Sequence, residues 1–130
     1  MIQFVPISAA LLMHASIIRE SGGETGIRNR GLLESAMERP KNLQHYEKAD
    51  LFRMAAAYCY GIIKNHPFVD GNKRTGFITT FAFLRMNGIE LTASEEETVI
   101  VVIGVADGSV DEKTLAAWLG SNSKKIRNQP

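Results

Sequence analysis

The chain has 130 residues, of which 45% are hydrophobic and 22% are charged, and this composition is typical of one folded domain rather than a disordered or fibrous chain. A formal net charge of +1 argues against a nucleic-acid-binding surface, and no apolar run is long enough for a membrane span. The one cysteine, Cys59, excludes an intramolecular disulfide and lies in an apolar run, so we expect a buried thiol and a cytoplasmic protein.

The first helix is predicted from Pro6-Ile7-Ser8, a typical helix start, to the helix-breaking pair Gly22-Gly23. His14 lies within this helix. No metal-binding side chain follows it at i+4, so we expect a packed histidine rather than a metal ligand. The glycine-rich and polar residues 21–31 then predict a long loop or a short hairpin, of a length that often carries function.

Three further helical segments follow this loop. Residues 32–37 predict a short helix that ends before Pro40, because a proline disfavours helical conformation in the residue before it. Residues 49–64 have almost no polar face and predict a helix at the centre of the fold. A second apolar helix is expected over residues 72–86, with Asn87-Gly88 as its end.

The last third of the chain contains two predicted helices. Ser94-Glu95-Glu96-Glu97 is a capping box, and it favours a helix over residues 98–105, although their β-branched side chains are typical of a strand. A final helix is predicted over residues 110–119. We therefore expect one domain over residues 1–119, and a flexible tail over the polar and basic residues 120–130.

The segment HPFVDGNKRTG joins the two most apolar helices and is too polar for a buried connector. At the start of the second helix, free backbone N–H groups and the helix dipole attract an anion. Gly71 permits a close approach, and Lys73 and Arg74 add positive charge suited to phosphate oxygens. The same residues also admit a purely structural interpretation, in which Asp70 and Asn72 cap the helix.

Other side chains of this segment, residues 66–76, suit catalysis. The imidazole of His66 can take a proton from a hydroxyl near neutral pH. The lone carboxylate of Asp70 is suited to Mg²⁺, which needs few protein ligands when phosphates supply the others. Phe68 stands between polar neighbours and is predicted to enter the core and fix the loop. The segment therefore predicts an enzyme that binds a nucleotide phosphate chain.

The segment resembles the signature of the Fic/Doc superfamily, whose seven specified positions are matched in order by His66, Phe68, Asp70, Gly71, Asn72, Lys73 and Arg74. Residues 26–36 and 83–88 are similar to the Doc, or death-on-curing, branch of that superfamily. The likeness extends over roughly residues 1–119. It implies the family fold, which is an all-α bundle of about six helices with a small β-hairpin flap.

The resemblance to the Doc branch implies a toxin of a toxin–antitoxin system. Such a toxin transfers the γ-phosphate of ATP to a Ser/Thr hydroxyl of a protein, with elongation factor Tu as the family precedent, and thereby blocks translation. Lys73 and Phe77 stand where AMP-transferring Fic proteins have Gly and a second Arg, which favours a kinase. An AMP transferase is the alternative among enzymes, and a non-catalytic helical binding module is the alternative from another class.

The family's functional residues carry over by position. His66 is the implied general base and Asp70 the implied Mg²⁺ ligand, while the residues implied to bind phosphates and stabilise charge are Gly71, Asn72, Lys73 and Arg74. The implied flap docks the target by strand addition and consists of Gly26, Ile27, Arg28, Asn29 and Arg30. The implied partners are the protein target and an antitoxin whose disordered tail folds into a groove. We expect no direct contact of this chain with nucleic acid or with a membrane.

Overall fold

The computed structural model describes residues 1–126 and contains six helices and one two-stranded antiparallel sheet. In chain order the elements are α1 (Ile7–Ser21), α2 (Arg30–Glu47), α3 (Leu51–Asn65), α4 (Asn72–Met86), β1 (Ile89–Leu91), α5 (Glu95–Asp107), α6 (Glu112–Ser121) and β2 (Ser123–Lys125). The predicted all-α bundle with a small β element is confirmed. None of the helices in this part of the chain is long and apolar enough to cross a membrane.

Helix α3 lies at the centre of the bundle and packs against α2, α4 and α6, as its nearly continuous apolar surface predicted. Two glycines allow the close packing. A Cβ atom added to Gly61 would lie 3.2 Å from the Cβ of Ala36 in α2. A Cβ atom added to Gly76 in α4 would lie 3.0 Å from Cγ1 of Ile63. Small residues at these crossings therefore let α2, α3 and α4 approach one another closely.

Helix α2 is longer than we predicted, because it continues through Pro40 to Glu47. The proline removes one backbone hydrogen bond and crowds the preceding turn. That cost is offset by packing, since the buried residues of the helix recur at i, i+3, i+4 and i+7: Leu33, Ala36, Met37 and Pro40. The expected helix end before Pro40 was wrong, because tertiary burial outweighs the local preference of a proline.

The helix start predicted at Ser94 is confirmed. Ser94 Oγ accepts a hydrogen bond from the backbone N–H of Glu97 at 3.1 Å, and α5 begins at the next residue after the cap. The β-branched residues of this segment are therefore helical. The last helix begins in the same way, because the Asp111 carboxylate accepts a hydrogen bond from the N–H of Thr114 at 2.7 Å.

The chain after residue 119 differs from the tail that we predicted. Helix α6 extends to Ser121, and β2 then pairs with β1 in an antiparallel register that places Glu90 opposite Lys124. Backbone bonds extend the pairing on both sides, from Thr92 N to Asn122 O at 2.6 Å and from Ile126 N to Gly88 O at 2.8 Å. The ordered fold thus reaches residue 126, and residues 127–130 lie outside the described part of the chain.

Residues 22–29, between α1 and α2, form an exposed loop that we call the flap. The resemblance implied a β-hairpin here. The structure has a single antiparallel bridge between Ile27 and Phe68 in its place, and the two-stranded sheet lies between β1 and β2. Gly22, Gly23 and Gly26 all have positive φ angles, which interrupt an extended strand. The flap consequently pairs with the loop that precedes α4 rather than with itself.

Candidate active site

The motif loop, residues 66–71, connects α3 to α4 and is fixed from its inner side. Phe68 is fully buried and stacks face to face on His14 of α1, with ring centroids 3.8 Å apart and an interplanar angle of 7°. The carboxamide of Asn72 bonds the backbone of Phe68 twice: Phe68 N donates to Oδ1 at 3.0 Å, and Nδ2 donates to Phe68 O at 2.9 Å. The loop is therefore held on the core at one residue.

These bonds also define what Asn72 can do. We predicted a phosphate-binding residue, and the buried side chain has its oxygen and its nitrogen both bonded to Phe68. The carboxamide is accordingly assigned to the loop. The backbone N–H of Asn72 is left for an anion.

The start of α4 is open. Gly71 is the N-cap in a left-handed conformation (φ 81, ψ 17), and no side chain caps the helix, contrary to the structural interpretation of Asp70 and Asn72. Thr75 N donates to Gly71 O, whereas the N–H groups of Asn72, Lys73 and Arg74 have no partner within residues 1–126. Three unpaired amides and the positive end of the helix dipole thus converge at one point.

Asp70 is exposed, and three hydrogen bonds fix its position. Its Oδ1 accepts from the N–H of Gly71 at 2.9 Å, its Oδ2 accepts from the N–H of Glu24 at 3.2 Å, and its backbone oxygen accepts from Nε2 of His14 at 2.8 Å. The described residues place no cationic side chain within ion-pair distance of this carboxylate.

The carboxylate of Asp70 fits the donor set that Mg²⁺ uses beside a phosphate chain. Residues 1–126 hold no group of three His, Cys, Asp or Glu side chains that could enclose a metal ion by themselves. Mg²⁺ typically keeps one or two carboxylates and takes its other oxygens from water and substrate phosphates. An oriented single carboxylate beside an open helix start matches that requirement.

His66 occupies an unusual backbone position. It ends α3 in the left-handed region, with φ 51 and ψ 54, where its N–H donates to Ile62 O at 3.1 Å. A non-glycine residue in this region carries a conformational cost and is concentrated at functional sites. The imidazole is exposed and makes no hydrogen bond to the described part of the chain. The ring is therefore free to receive a proton from a substrate hydroxyl.

The two cations of the motif, Lys73 and Arg74, are exposed on the first turn of α4. Lys73 has no ion-pair partner among residues 1–126, and the Arg74 guanidinium donates to the hydroxyl of Ser21 at the end of α1. Both line a groove of about 700 Å³. Its apolar wall comes from α1, α4, α5 and β1, through Ile17, Phe77, Ile78, Phe81, Leu91 and Val102. A groove of this volume is typical of small-molecule sites.

The flap lies along the motif loop and is bonded to it backbone to backbone. Val69 N donates to Gly26 O at 3.1 Å, and Arg28 N and Asn29 N both donate to Pro67 O, at 2.7 and 3.0 Å. In this antiparallel bridge, the N–H and C=O of Ile27 point away from the motif loop. The flap thus presents a free backbone edge directly beside the site.

Two of the predicted docking residues stabilise the neighbouring helices. The Arg28 guanidinium donates to the backbone oxygens of His66 and Asn65, at 2.7 and 2.9 Å, and so covers the end of α3. Asn29 is the N-cap of α2 and accepts from Leu32 N at 3.0 Å. Arg30 is the first residue of α2.

Two residues at the site were not assigned from the sequence. His14 bonds Asp70 and stacks on Phe68, and its signal was its place between Ala10 and Ile18 on one buried stripe of α1. Gly23 has a Cβ position only 2.7 Å from Oδ2 of Asp70, so a side chain there would push the flap away from the carboxylate. The positive φ of Gly23, 116°, was not recognisable from the sequence.

A model of the Fic/DOC family matches residues 4–84, which is more than half of the chain and includes the whole motif loop. The chain therefore belongs to the Fic/DOC family.

Two individual relatives lie in the Doc branch. The chain is 32% identical over 110 residues to the protein kinase doc of Escherichia phage P1, and the match covers 84% of this chain and 86% of that protein. It is 40% identical over 74 residues to the toxin Doc of Mycolicibacterium smegmatis. The second match covers 55% of this chain and only 57% of that protein. The likeness to the Doc branch that we inferred from the motifs is confirmed.

Proposed function

We propose that this chain is a Doc-like toxin that transfers the γ-phosphoryl group of ATP to a Ser/Thr hydroxyl of a protein target. One observation carries the proposal: the unpaired N–H groups of Asn72, Lys73 and Arg74 lie at an exposed helix start, beside a groove large enough for a nucleotide. A buried or side-chain-capped helix start would have argued against it. The names of the two relatives, one a toxin and one a protein kinase, agree with this activity.

The proposed reaction assigns a task to each exposed polar residue of the motif. In this reaction the γ-phosphoryl oxygens accept hydrogen bonds from the unpaired amides of α4. Lys73 and Arg74 balance the negative charge that develops as the phosphoryl group is transferred. His66 takes the proton of the target hydroxyl as its oxygen bonds the γ-phosphorus, and the bond from phosphorus to the β-phosphate oxygen breaks to release ADP. Asp70 would hold Mg²⁺, which neutralises charge on the phosphate chain when it is bound.

The flap supports the docking of an extended target segment. The outward N–H and C=O of Ile27 have no hydrogen-bond partner among the described residues, and they can pair with a target backbone in the manner of strand addition. The target that the family resemblance suggests is elongation factor Tu, and the cellular restraint it suggests is an antitoxin with a disordered tail.

The decisive experiment separates kinase from AMP transferase. The purified chain is incubated with elongation factor Tu and Mg²⁺, and with ATP labelled at either the α- or the γ-phosphate. We expect γ-label alone on the target, because Lys73 adds charge and bulk where AMP-transferring Fic proteins have a glycine. Transfer of α-label would identify an AMP transferase and contradict the proposal.

A growth-arrest assay, run beside the labelling assay, distinguishes an enzyme from a non-catalytic binding module. His66→Ala is expected to abolish both labelling and growth arrest in cells. Growth arrest that persists in a folded His66→Ala variant would show that binding alone causes the effect.

A further inference from the structure

His14 is a buried polar residue whose contacts are directed at the motif loop. The residue is 6% exposed, and it lies on α1, 56 residues away from Asp70 along the chain. One ring face covers Phe68, and one ring nitrogen bonds the backbone oxygen of Asp70. A Cβ atom built on Gly71 would also lie 3.6 Å from Nε2 of the same ring. One side chain thus contacts two residues of the loop and lies beside a third, Gly71.

The hydrogen bond requires a proton on Nε2 of the ring. A backbone carbonyl oxygen accepts hydrogen bonds and never donates them, so Nε2 of His14 must carry the proton in the 2.8 Å contact with Asp70 O. Simple packing in a core does not require this. An aromatic side chain such as phenylalanine would fill the same space and stack on Phe68 without bonding Asp70.

The hydrogen bond from His14 fixes the peptide group of Asp70, a residue to which several neighbouring groups of the site are bonded. The peptide carbonyl of Asp70 is fixed by His14, while its carboxylate bonds the N–H groups of Gly71 and Glu24. Fixing the Asp70 peptide therefore fixes three things at once: the direction of the carboxylate, the left-handed turn at Gly71, and the attachment of the flap.

We propose that His14 is a positioning residue for phosphoryl transfer, which orients Asp70 and the open start of α4 through its Nε2–H. The expected effect of His14 on phosphoryl transfer rests on the proposed function. Its effect on the order of the motif loop is independent of that function, and the two effects are measured separately. Groups that orient a metal-binding residue from behind typically change affinity or activity by about 10- to 100-fold when they are lost.

The test compares two substitutions that divide the properties of the ring. His14→Phe keeps the buried aromatic stack and removes the donor. His14→Gln removes the ring and places an amide N–H at a similar reach. His45→Phe is the matched control, because His45 is an exposed histidine on α2 whose ring meets that of Tyr46 edge to face. Hydrogen exchange of backbone amides is measured without ATP, and transfer of γ-label is measured at saturating and limiting Mg²⁺.

We expect His14→Phe to accelerate exchange at Gly71 and Glu24 by roughly tenfold, the scale of one lost hydrogen bond. Exchange within α3 should stay unchanged. Transfer should fall by about 10- to 100-fold, with a raised Mg²⁺ requirement, and His14→Gln should restore most of both properties. Wild-type exchange and transfer in His14→Phe would overturn the proposal. A larger loss in His14→Gln than in His14→Phe would overturn it too, because it would assign the effect to the packing of the ring rather than to its N–H donor.

A measurement on the unaltered protein decides the question even if a variant does not fold. Nitrogen-15 spectra of the His14 ring should show a protonated Nε2, with a slowly exchanging proton. An unprotonated Nε2 would refute the bond to Asp70. If the chain transfers no γ-label but the exchange pattern changes as expected, the positioning role stands and the proposed kinase function fails.

Discussion

The motif loop and the first turn of α4 contain two sets of side chains with opposite surroundings. The inner set, Phe68 and Asn72, is buried, and Asn72 has its polar atoms bonded to the protein backbone. The outer set is exposed, borders the open helix start, and consists of His66, Asp70, Lys73 and Arg74. The motif therefore contains both the residues that hold the loop on the core and the residues that face the open helix start. Substitutions in the inner set should therefore lower stability, and those in the outer set should lower activity alone.

His66 gives the largest expected effect on activity. His66→Asn removes the imidazole and keeps a residue type that tolerates the left-handed conformation, φ 51, of this position. We expect transfer of γ-label to fall by about 10²- to 10⁴-fold, the usual contribution of a general base. Kinetics with saturating ATP and a thermal melt check this. An inactive variant with a lowered melting temperature would break the division into two sets, whereas His45→Asn should match the wild type in both measurements.

Asp70 belongs to the outer set through its carboxylate. Asp70→Asn keeps the shape and the acceptor oxygen, and removes the negative charge that would hold Mg²⁺. We expect transfer to fall by about 100-fold, and the dependence on Mg²⁺ concentration to disappear with it. Glu24→Gln is a suitable control, because Glu24 meets the site through its backbone N–H and not through its side chain. Full activity of Asp70→Asn at ordinary Mg²⁺ concentrations would refute the metal assignment.

Phe68 tests the inner set. Phe68→Ala removes a fully buried ring that stacks on His14, and truncations of this kind typically cost about 3–5 kcal/mol of unfolding free energy. Urea denaturation measures the loss. The neighbouring substitution Val69→Ala is the control, since Val69 is 42% exposed and should change stability by less than about 0.5 kcal/mol. A stable but inactive Phe68→Ala variant would show that the two sets are not energetically distinct.

The residue types predicted that the outer set gathers at the start of α4, and they predicted that Phe68 of the inner set enters the core. The role of Asn72 in the inner set was not predicted. A histidine, a carboxylate and two cations in one short segment indicate chemistry wherever the chain places them. Asn72 is polar as well, and only its contacts with Phe68 reveal that its carboxamide serves the loop. His14 and Asp70 are 56 residues apart, and no local pattern connects them.

The fold shows the same limit. The start of α4 and the helix start at Ser94 were predicted correctly, because their signals are local. The end of helix α2 was predicted wrongly, because the helix continues through Pro40. The burial of Pro40 depends on residues elsewhere in the chain, which a local pattern does not reveal. Strand β2 was missed because Ser123–Lys125 has no apolar alternation, and its pairing with β1 is made by backbone bonds that any sequence can form.

The smallest expected effect is a change in stability with pH, and it comes from two titratable groups in the core, Cys59 and Tyr58. Neither has a catalytic task in the proposed reaction. Burial raises the pKa of the Cys59 thiol to about 12, and it also raises the pKa of Tyr58 to about 12. Both groups hold their protons more tightly in the folded state than in the unfolded chain. The folded state is consequently favoured below the unfolded pKa values and loses this advantage as pH rises through about 9 to 12.

We therefore expect unfolding free energy to decrease with pH in this alkaline range, by about 1 kcal/mol per pH unit for each group. Cys59→Ala should be less stable than the wild type near pH 7 because of the lost packing, and should show a shallower decline above about pH 9. Urea titrations at a series of pH values give both quantities. An equally steep decline in Cys59→Ala would mean that the thiol ionises freely in the folded protein, and that the core between α3 and α4 admits water.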